Sequence, residues 1–353
     1  MAVTLTSLTD IFALGFDDII DVRAPAEYAE DHIPGAINLP VLDDEERAQV
    51  GTIYKQVNPF SARKIGAALV ARNAAAHLLG PLAGKPGGWR PLVYCWRGGQ
   101  RSGSFATILS QIGWRVETVA GGYKAWRALV VQALYEQSFP APVVVLDGNT
   151  GTAKTEVLNL LPGRGVQVID LEGLARHRGS LFGAMQGGQP SQKSFECALA
   201  MAIAALDPTR PVVIEAESSK VGDRRVPPQI WKAMVAAPRI AIAAPRAARA
   251  EYLVGAYSDM VADGQRLAGV IGQLRALHSA ELIAAWQAMA AAGAFAELAD
   301  GLMAHHYDQR YDRHRDRIAA SIHELEVETL VPGALGALSD RVVVAVGAMS
   351  LRS

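Results

Sequence analysis

The sequence at residues 91–102 is Pro-Leu-Val-Tyr-Cys-Trp-Arg-Gly-Gly-Gln-Arg-Ser, and this stretch decides the fold of the first part of the chain. Its apolar start, Pro91–Tyr94, predicts a buried strand, and residues 102–112 predict a helix. Cys95 therefore lies in a tight loop between the carboxyl end of a strand and the N-terminus of a helix. Backbone N–H groups converge in such a loop and the helix dipole favours negative charge, so we expect a lowered thiol pKa and a reactive thiolate.

The residues around Cys95 favour a site for a negatively charged group. Gly98 and Gly99 let the backbone curl around the sulfur. Arg97 and Arg101 bring guanidinium groups that can bind an oxyanion. Cys95 could instead be a small buried hydrophobic residue at a strand end, but two glycines and two arginines make a poor core environment. The candidate catalytic residues are therefore Cys95, Arg97 and Arg101.

Three further motifs accompany the cysteine loop. Residues 21–28 are Asp-Val-Arg-Ala-Pro-Ala-Glu-Tyr, residues 32–40 are His-Ile-Pro-Gly-Ala-Ile-Asn-Leu-Pro, and residues 121–126 are Gly-Gly-Tyr-Lys-Ala-Trp. In this order, with the cysteine loop, they resemble the rhodanese family over about the first 130 residues. The resemblance implies an α/β domain of the sulfurtransferase type, whose loop cysteine carries a chalcogen as a persulfide or an analogue of one.

A second motif follows a second apolar run, Val-Val-Val-Leu-Asp at residues 143–147. Residues 148–155 are Gly-Asn-Thr-Gly-Thr-Ala-Lys-Thr, which approximates the phosphate-binding pattern G-x-x-x-x-G-K-[ST]. In such a loop backbone N–H groups surround the phosphates, the lysine reaches them, and the hydroxyl can bind Mg²⁺. The residues predicted to bind a phosphate ligand here are Gly148, Gly151, Lys154 and Thr155.

The loop departs from that pattern at one position, because Ala153 stands where the second glycine belongs. A methyl group is tolerated there if the local φ is negative, whereas a positive φ strains the loop. The alternative interpretation is an ordinary Gly/Thr turn with a surface lysine.

The rest of the second half alternates between strands and helices. Apolar runs predict strands at residues 166–170, 212–216 and 239–243, and the chain after Pro245 is alanine-rich and predicted helical to about residue 306. A last strand is predicted at residues 341–346. This alternation predicts a parallel sheet covered by helices on both faces.

The predicted architecture is therefore α/β with two domains. A short proline-containing linker at residues 137–142 separates them. We assign residues 1–136 to a rhodanese-like domain. Residues 137–353 then form a P-loop NTPase-like parallel-sheet domain with a helical C-terminal part.

Polar residues follow the strands of the second domain. Asp170 with Glu172, and Glu215 with Glu217, could hold a metal ion or its water near a phosphate. Each could also be a helix cap or part of a solvated ion pair. Arg249 follows the fourth strand and could clamp a phosphate, or lie on a solvent-facing surface. Asp170, Glu215 and Arg249 complete the set of predicted binding residues.

Composition limits the remaining choices. The two cysteines, Cys95 and Cys197, are too few for a disulfide framework and fit a reducing cytoplasm; Cys197 is predicted to lie in the core. We expect no signal peptide, no membrane span and no resident metal, since the His305–His306 pair lacks zinc-ligand spacing. Net charge is −1, so binding of nucleic acid would depend on local patches. The candidate patches are Arg176 with Arg178, Arg224 with Arg225, and Arg310 with Arg313.

Over nearly its full length the chain resembles the bacterial tRNA 2-selenouridine synthases. That resemblance implies replacement of sulfur by selenium in a 2-thiouridine at the wobble position of the tRNA anticodon. It also implies selenophosphate as donor and a geranylated intermediate made from geranyl diphosphate. We expect no tightly bound cofactor, and the phosphate loop could hold Mg²⁺. The stretches that carry the resemblance are residues 94–102, 154–155, 170–180, 189–193, 195–196, 215–218 and 306–308.

Two other functions remain open at this point. The chain could be a small-molecule kinase with a rhodanese appendage, or a tRNA-binding or sulfur-relay module without chemistry of its own. ATP hydrolysis that a metabolite stimulates and tRNA does not change would favour the first. Binding of tRNA without any change in nucleoside mass would favour the second.

Overall fold

The computed structural model describes residues 1–309, 311 and 321–350. Of the predicted RNA-binding patches, Arg310 and Arg313 lie outside the described residues. The strands are β1 (Ala2–Val3), β2 (Asp18–Asp21), β3 (Ala36–Asn38), β4 (Pro91–Tyr94), β5 (Glu117–Val119), β6 (Val143–Gly148), β7 (Gln167–Ile169), β8 (Val212–Glu215), β9 (Lys220–Val221), β10 (Arg224–Arg225), β11 (Arg239–Ala243) and β12 (Ile322–Glu326).

Helices connect and cover these strands. Short 3-10 or π turns at Gln132–Glu136, Pro162–Arg164, Leu274–Ala276 and Met303–Tyr307 extend or link them. The α-helices are α1 (Asp10–Ala13), α2 (Pro25–Glu30), α3 (Asp44–Gln56), α4 (Pro59–Leu79), α5 (Gln100–Ile112), α6 (Gly122–Val131), α7 (Lys154–Leu160), α8 (Leu171–Ala175), α9 (Gln192–Ala204), α10 (Pro228–Ala236), α11 (Arg246–Ala256), α12 (Ser258–Val261), α13 (Gly264–Gln273), α14 (Ala280–Ala291), α15 (Phe295–Leu302) and α16 (Pro332–Ser350).

Two five-stranded sheets organise the chain, and every pairing within them is parallel. The first has the order β1-β5-β4-β2-β3, and the second has the order β12-β11-β6-β8-β7. Strands β9 and β10 form a separate antiparallel pair. The predicted α/β class is confirmed. In each sheet the loop that carries a candidate site leaves the carboxyl end of a strand, β4 in the first and β6 in the second, where ligands bind in open parallel sheets.

The contacts within the chain divide it into two units. One consists of residues Met1–Gln137 with Pro190–Ala204, and the other of Ser138–Gln189 with Ala205–Ser353. The boundary after residue 137 lies close to the predicted one. The segment Pro190–Ala204, which we had assigned to the second domain, lies with the first.

Helix α9 shows why that segment belongs to the first unit. The Trp126 indole N–H donates to Cys197 Sγ at 3.4 Å, and the Tyr135 hydroxyl donates to Glu196 Oε1 at 2.7 Å. Arg127 forms an ion pair with the same glutamate. Cys197 is buried, as predicted for a core position. A sequence pattern marks the apolar face of a helix but does not tell which sheet that face will cover.

The second sheet confirms four of the five predicted strands and corrects the fifth. Residues 341–346 are not a strand but part of helix α16. The apolar run of valines suggested a strand. The buried side chains Leu335, Leu338 and Val342, however, recur at the three- and four-residue spacing of a helix. The fifth strand is β12, an edge strand of sequence Ile-His-Glu-Leu-Glu that is mostly exposed and so lacks an apolar run.

One described helix, α16, contains a segment long and apolar enough to cross a membrane, Pro332–Met349, with a mean hydropathy of 1.2. The sequence had predicted no such segment. A third of the segment is buried, and its buried side chains pack in one cluster with those of β6 and β11. This packing is that of a helix covering a sheet.

Helices α12 to α15 form a second apolar cluster around Trp286 and Ile271.

Candidate active sites

The Cys95 sulfur is held at the centre of the loop that joins β4 to α5. Cys95 is buried, with 4% of its surface exposed. Its Sγ accepts hydrogen bonds from the Gly99 backbone N–H at 3.3 Å and from the Ser102 hydroxyl at 3.2 Å. The loop therefore surrounds the sulfur with donors, which is the arrangement that stabilises a thiolate.

The pKa values of the two cysteine thiols are shifted in opposite directions. Burial acts to raise the pKa of Cys95, but hydrogen bonds from Ser102 and from the backbone N–H groups of Gly99 and Arg97 outweigh it and hold the pKa below its ordinary value. At Cys197, burial raises the pKa to about 12. Ser102 did not stand out in the sequence as part of the site, although its place in the first turn of the helix after the loop was visible.

The Gly-Gly-Tyr motif supports the cysteine loop from the neighbouring strand connection. The Tyr123 backbone N–H donates to the Cys95 carbonyl at 2.8 Å. Gly122 has a φ of +59°, and a Cβ added there would lie 2.3 Å from that same carbonyl oxygen and 2.4 Å from the Gly98 nitrogen. Only glycine therefore allows the two loops to approach so closely.

The two candidate arginines occupy different positions. Both terminal nitrogens of Arg101 face the Glu27 carboxylate, with Nη1 to Oε2 at 2.7 Å and Nη2 to Oε1 at 3.3 Å. Arg97 is exposed, and its side chain makes no ion pair among residues 1–309, 311 and 321–350. Of the two guanidinium groups, that of Arg97 is the one available to an incoming anion, while Arg101 is held by an internal carboxylate.

The phosphate-type loop follows β6 and needs its two glycines. Gly148 has a φ of +146° and Gly151 a φ of +85°. A Cβ on Gly148 would lie 2.8 Å from the carbonyl oxygen of Ile242, and one on Gly151 would lie 3.0 Å from that of Arg249. Both glycines therefore shape the loop against β11 and α11. A cavity lies above this loop, and Gly151 lines it whereas Gly148 does not.

Ala153 adopts the left-handed conformation that the pattern reserves for glycine, with φ +56° and ψ +30°. That conformation costs an L-residue about 1–2 kcal/mol. Ala153 is buried, with 2% of its surface exposed, inside the apolar cluster between β6 and α7, so its contacts offset part of the strain. Of the two possibilities considered from the sequence, the structure has the strained one, a positive φ at Ala153.

Lys154 folds back onto the loop. Its ammonium donates to the Gly148 carbonyl at 2.7 Å and to the Asn149 carbonyl at 3.3 Å. Burial lowers the pKa of Lys154, against the opposing effect of nearby Glu172 and Asp147. A charged ammonium beside the loop is placed to bind an anion that displaces the carbonyl contacts.

A group of carboxyls lies beside Lys154. The Thr155 hydroxyl donates to Glu172 Oε2 at 2.9 Å, and Glu172 shares a hydrogen bond with Glu217. Burial, followed by the charge of Glu172, raises the pKa of Glu217 well above its ordinary value. Within the described part of the chain, no three His, Cys, Asp or Glu side chains are arranged as metal ligands.

Two of the predicted acidic residues have structural partners. Asp170 caps helix α8 by accepting from the Gly173 N–H at 2.7 Å, and it lines the cavity. Glu215 is buried beneath it, and its Oε1 accepts from the Glu172 N–H at 2.7 Å. Burial raises the pKa of Glu215 well above its ordinary value. Glu215 therefore positions the backbone of Glu172 from below.

Arg249 anchors the phosphate loop from behind. It forms a bidentate ion pair with Asp308, with Nη1 to Oδ1 at 2.9 Å and Nη2 to Oδ2 at 2.8 Å. The same guanidinium donates to the Thr150 carbonyl at 3.1 Å, and the Asn149 amide donates to Asp308 at 3.2 Å. Arg249 does not line the cavity. The Asp308 contact was missed from the sequence, because 59 residues separate it from Arg249.

The cavity above the loop is large, with a volume of about 530 Å³, and charged side chains line it together with apolar ones. Arg178 lines it; one of its nitrogens pairs with Asp259 at 2.9 Å and another is buried without a partner in the described structure. Arg176 is exposed, and Arg224 and Arg225 form strand β10. The four described arginines thus lie in three different settings: an exposed turn, the cavity wall and strand β10.

The geometry defines a class: a rhodanese-like domain with a loop cysteine, joined to a P-loop-like domain with a lysine-bearing loop. Family models agree. Residues 4–129 match the rhodanese-like domain, and residues 141–277 match the domain described as the tRNA 2-selenouridine synthase AAA domain.

Curated relatives make the assignment more specific. The tRNA 2-selenouridine synthase of Chromohalobacter salexigens is 38% identical over 264 residues, which cover 72% of this chain and 69% of that protein. The one of Hahella chejuensis is 37% identical over 235 residues, covering 64% and 59%. The one of Pseudomonas syringae pv. tomato is 38% identical over 238 residues, covering 65% and 63%. The chain belongs to the tRNA 2-selenouridine synthase family, and the matched segments span 59 to 69% of the length of these relatives.

Proposed function

We propose that this protein replaces sulfur by selenium in the wobble 2-thiouridine of tRNA, with selenophosphate as donor and an S-geranyl-2-thiouridine intermediate made from geranyl diphosphate. Family membership supports the reaction class. The observation that supports the two-step form is that the chain has two chemically different loops suited to anions, a donor-lined cysteine loop and a lysine-bearing phosphate loop. We place this activity in the cytoplasm, where tRNA is modified.

The phosphate loop suits the alkylation step. The thiocarbonyl sulfur attacks the first carbon of the geranyl group, a sulfur–carbon bond forms, and the carbon–oxygen bond to diphosphate breaks. Lys154 and the loop N–H groups bind the diphosphate as its charge increases. The Thr155 hydroxyl and Glu172 are oxygen donors that fit Mg²⁺, which would supply further charge stabilisation when bound.

The cysteine loop suits the selenation step. An S-alkylated sulfur leaves more readily than a thiocarbonyl sulfur, so a selenium nucleophile can attack the ring carbon and expel geranyl thiolate. The N–H donors at the Cys95 loop and the exposed Arg97 are suited to the oxyanions of selenophosphate. The selenium of selenophosphate attacks the ring carbon as a nucleophile, so a carbon–selenium bond forms as the carbon–sulfur bond breaks. Water then attacks phosphorus, the phosphorus–selenium bond breaks and phosphate leaves, while the Cys95 loop holds the oxyanions of the donor.

Nucleoside mass spectrometry tests this function. Thiolated tRNA is incubated with the protein and geranyl diphosphate, selenophosphate, or both. We expect the geranylated nucleoside with the first, and 2-selenouridine with both together. ATP hydrolysis stimulated by a small metabolite, with no change in nucleoside mass under any of the three conditions, would instead support a kinase.

A further inference from the structure

A second cavity lies in the helical part of the P-loop domain, and its lining is almost wholly apolar. About 80 Å³ of it is open to the centres of water-sized spheres. A single water needs about 10–15 Å³ by that measure, so the space holds roughly five to eight groups of that size. Its walls include Leu253, Met260, Leu267, Phe295, Ala299 and Leu302.

This apolar cavity adjoins the larger cavity above the phosphate loop, whose lining includes charged side chains. Thr150, Ser180, Leu253, Tyr257 and Tyr307 line both. At the junction, the Leu253 Cγ lies 2.9 Å from the position that a Cβ on Gly151 would occupy. A ligand with its anionic group on the loop would therefore have an apolar space directly beside it.

The lining decides which ligand can use both spaces. The edges of a nucleotide base carry hydrogen-bond donors and acceptors that must be paired when buried, and the apolar cavity offers almost no polar surface to pair them. A hydrocarbon chain needs no such partners and gains free energy from burial. The cavity volume suits a chain of about one to two isoprene units.

We infer that the apolar cavity binds the hydrocarbon chain of an allylic diphosphate whose diphosphate group lies on the phosphate loop. This inference rests on the proposed function, in which such a diphosphate is the alkylating substrate, and it assigns the residues that recognise the chain. Each methylene buried in the cavity should tighten binding about fourfold, up to the length at which the space is filled.

The test uses the full-length protein, isothermal titration calorimetry and two probes: inorganic diphosphate and geranyl S-thiolodiphosphate, an analogue that does not readily transfer its chain. Ala299 lines the cavity, whereas Ala296 on the same helix α15 is exposed. We expect Ala299→Phe to weaken the analogue at least tenfold and to leave inorganic diphosphate within twofold. Ala296→Phe, the matched control, should leave both unchanged.

A chain-length series on the unmodified protein provides a second measurement that needs no variant. The dimethylallyl analogue, which is five carbons shorter, should bind at least tenfold more weakly than the geranyl one. Equal affinities for inorganic diphosphate and both analogues would overturn the inference, as would equal effects of Ala299→Phe and Ala296→Phe. If chain-length dependence is found but tRNA is never geranylated, the proposed function fails while the chain-binding site stands.

Discussion

The Arg101 guanidinium and the Glu27 carboxylate form a partly buried, two-pronged ion pair, with the closer contact at 2.7 Å. Glu27 also accepts from the Ala24 N–H at 3.1 Å and so starts helix α2. The arginine of the cysteine motif thus connects the loop helix α5 to the upstream Asp-Val-Arg-Ala-Pro-Ala-Glu-Tyr motif. Its measurable contribution should be to stability.

Glu27→Gln tests that contribution. Burial acts to raise the pKa of Glu27, but Arg101 outweighs it and holds the pKa below its ordinary value. A depressed carboxyl pKa stabilises the fold above the unfolded-state pKa, and this stability is lost as pH falls through the folded-state pKa. At pH 7, Glu27→Gln should therefore lower the free energy of unfolding by about 1–3 kcal/mol, measured by urea denaturation. The difference should shrink towards acid pH; a difference that grows there would contradict the assignment.

Cys95 should react with iodoacetamide far faster than Cys197 at pH 7. A lowered pKa leaves more thiolate at neutral pH, whereas burial that raises the pKa of Cys197 to about 12 leaves almost none. Mass spectrometry of labelled peptides over time, at a series of pH values, measures both rates in the folded protein. Equal rates at the two cysteines would argue against a thiolate site.

Ser102→Ala should raise the pKa of Cys95, because the hydroxyl is the strongest of the hydrogen-bond donors that lower it. The half-maximum of the labelling rate should then move to higher pH. Ser104→Ala, an exposed serine in the same helix, is the matched control and should leave the profile unchanged. A Ser102→Ala profile identical to that of the control would show that the backbone donors alone set the acidity.

The two sites should be separable by mutation. Cys95→Ser should leave geranyl transfer nearly intact and abolish selenouridine, so that the geranylated nucleoside accumulates. Lys154→Ala should slow geranyl transfer roughly a hundredfold or more, because it removes a charge that stabilises the departing diphosphate. Selenation of tRNA that is already geranylated should survive Lys154→Ala better than the complete reaction. Loss of both steps in Cys95→Ser would show that this division is wrong.

Asp308→Asn should destabilise the protein strongly. It leaves the Arg249 guanidinium, 7% exposed, without its carboxylate partner, and breaking a buried pair from one side costs about 3–5 kcal/mol. Asp300→Asn is the matched control, since it pairs with the half-exposed Arg246 and a surface pair contributes about 0–1 kcal/mol. Thermal unfolding of both variants, with inorganic diphosphate binding as a second readout, measures the difference. If both variants lost similar amounts of stability and of diphosphate binding, Arg249 would not be a residue that stabilises the loop.

The sequence alone determined the local features of both sites. Apolar runs followed by glycine-rich loops predicted that Cys95 follows β4 and that Lys154 begins a helix after β6, because strand and loop signals span only a few neighbouring residues. The same locality explains the error at residues 341–346. A valine-rich run is compatible with a strand or with a buried helix. Only the structure shows which side chains of α16 are buried against the second sheet, and therefore that their spacing is helical.

Only the tertiary structure decided which partners those residues meet. It places helix α9 with the first sheet, pairs Arg101 with Glu27, joins Arg249 to Asp308, and sets an apolar cavity beside the phosphate loop. Each of these depends on chain segments that are distant in sequence. Charge and apolar character tell that a side chain needs a partner, but the packing of the whole chain selects which one it finds.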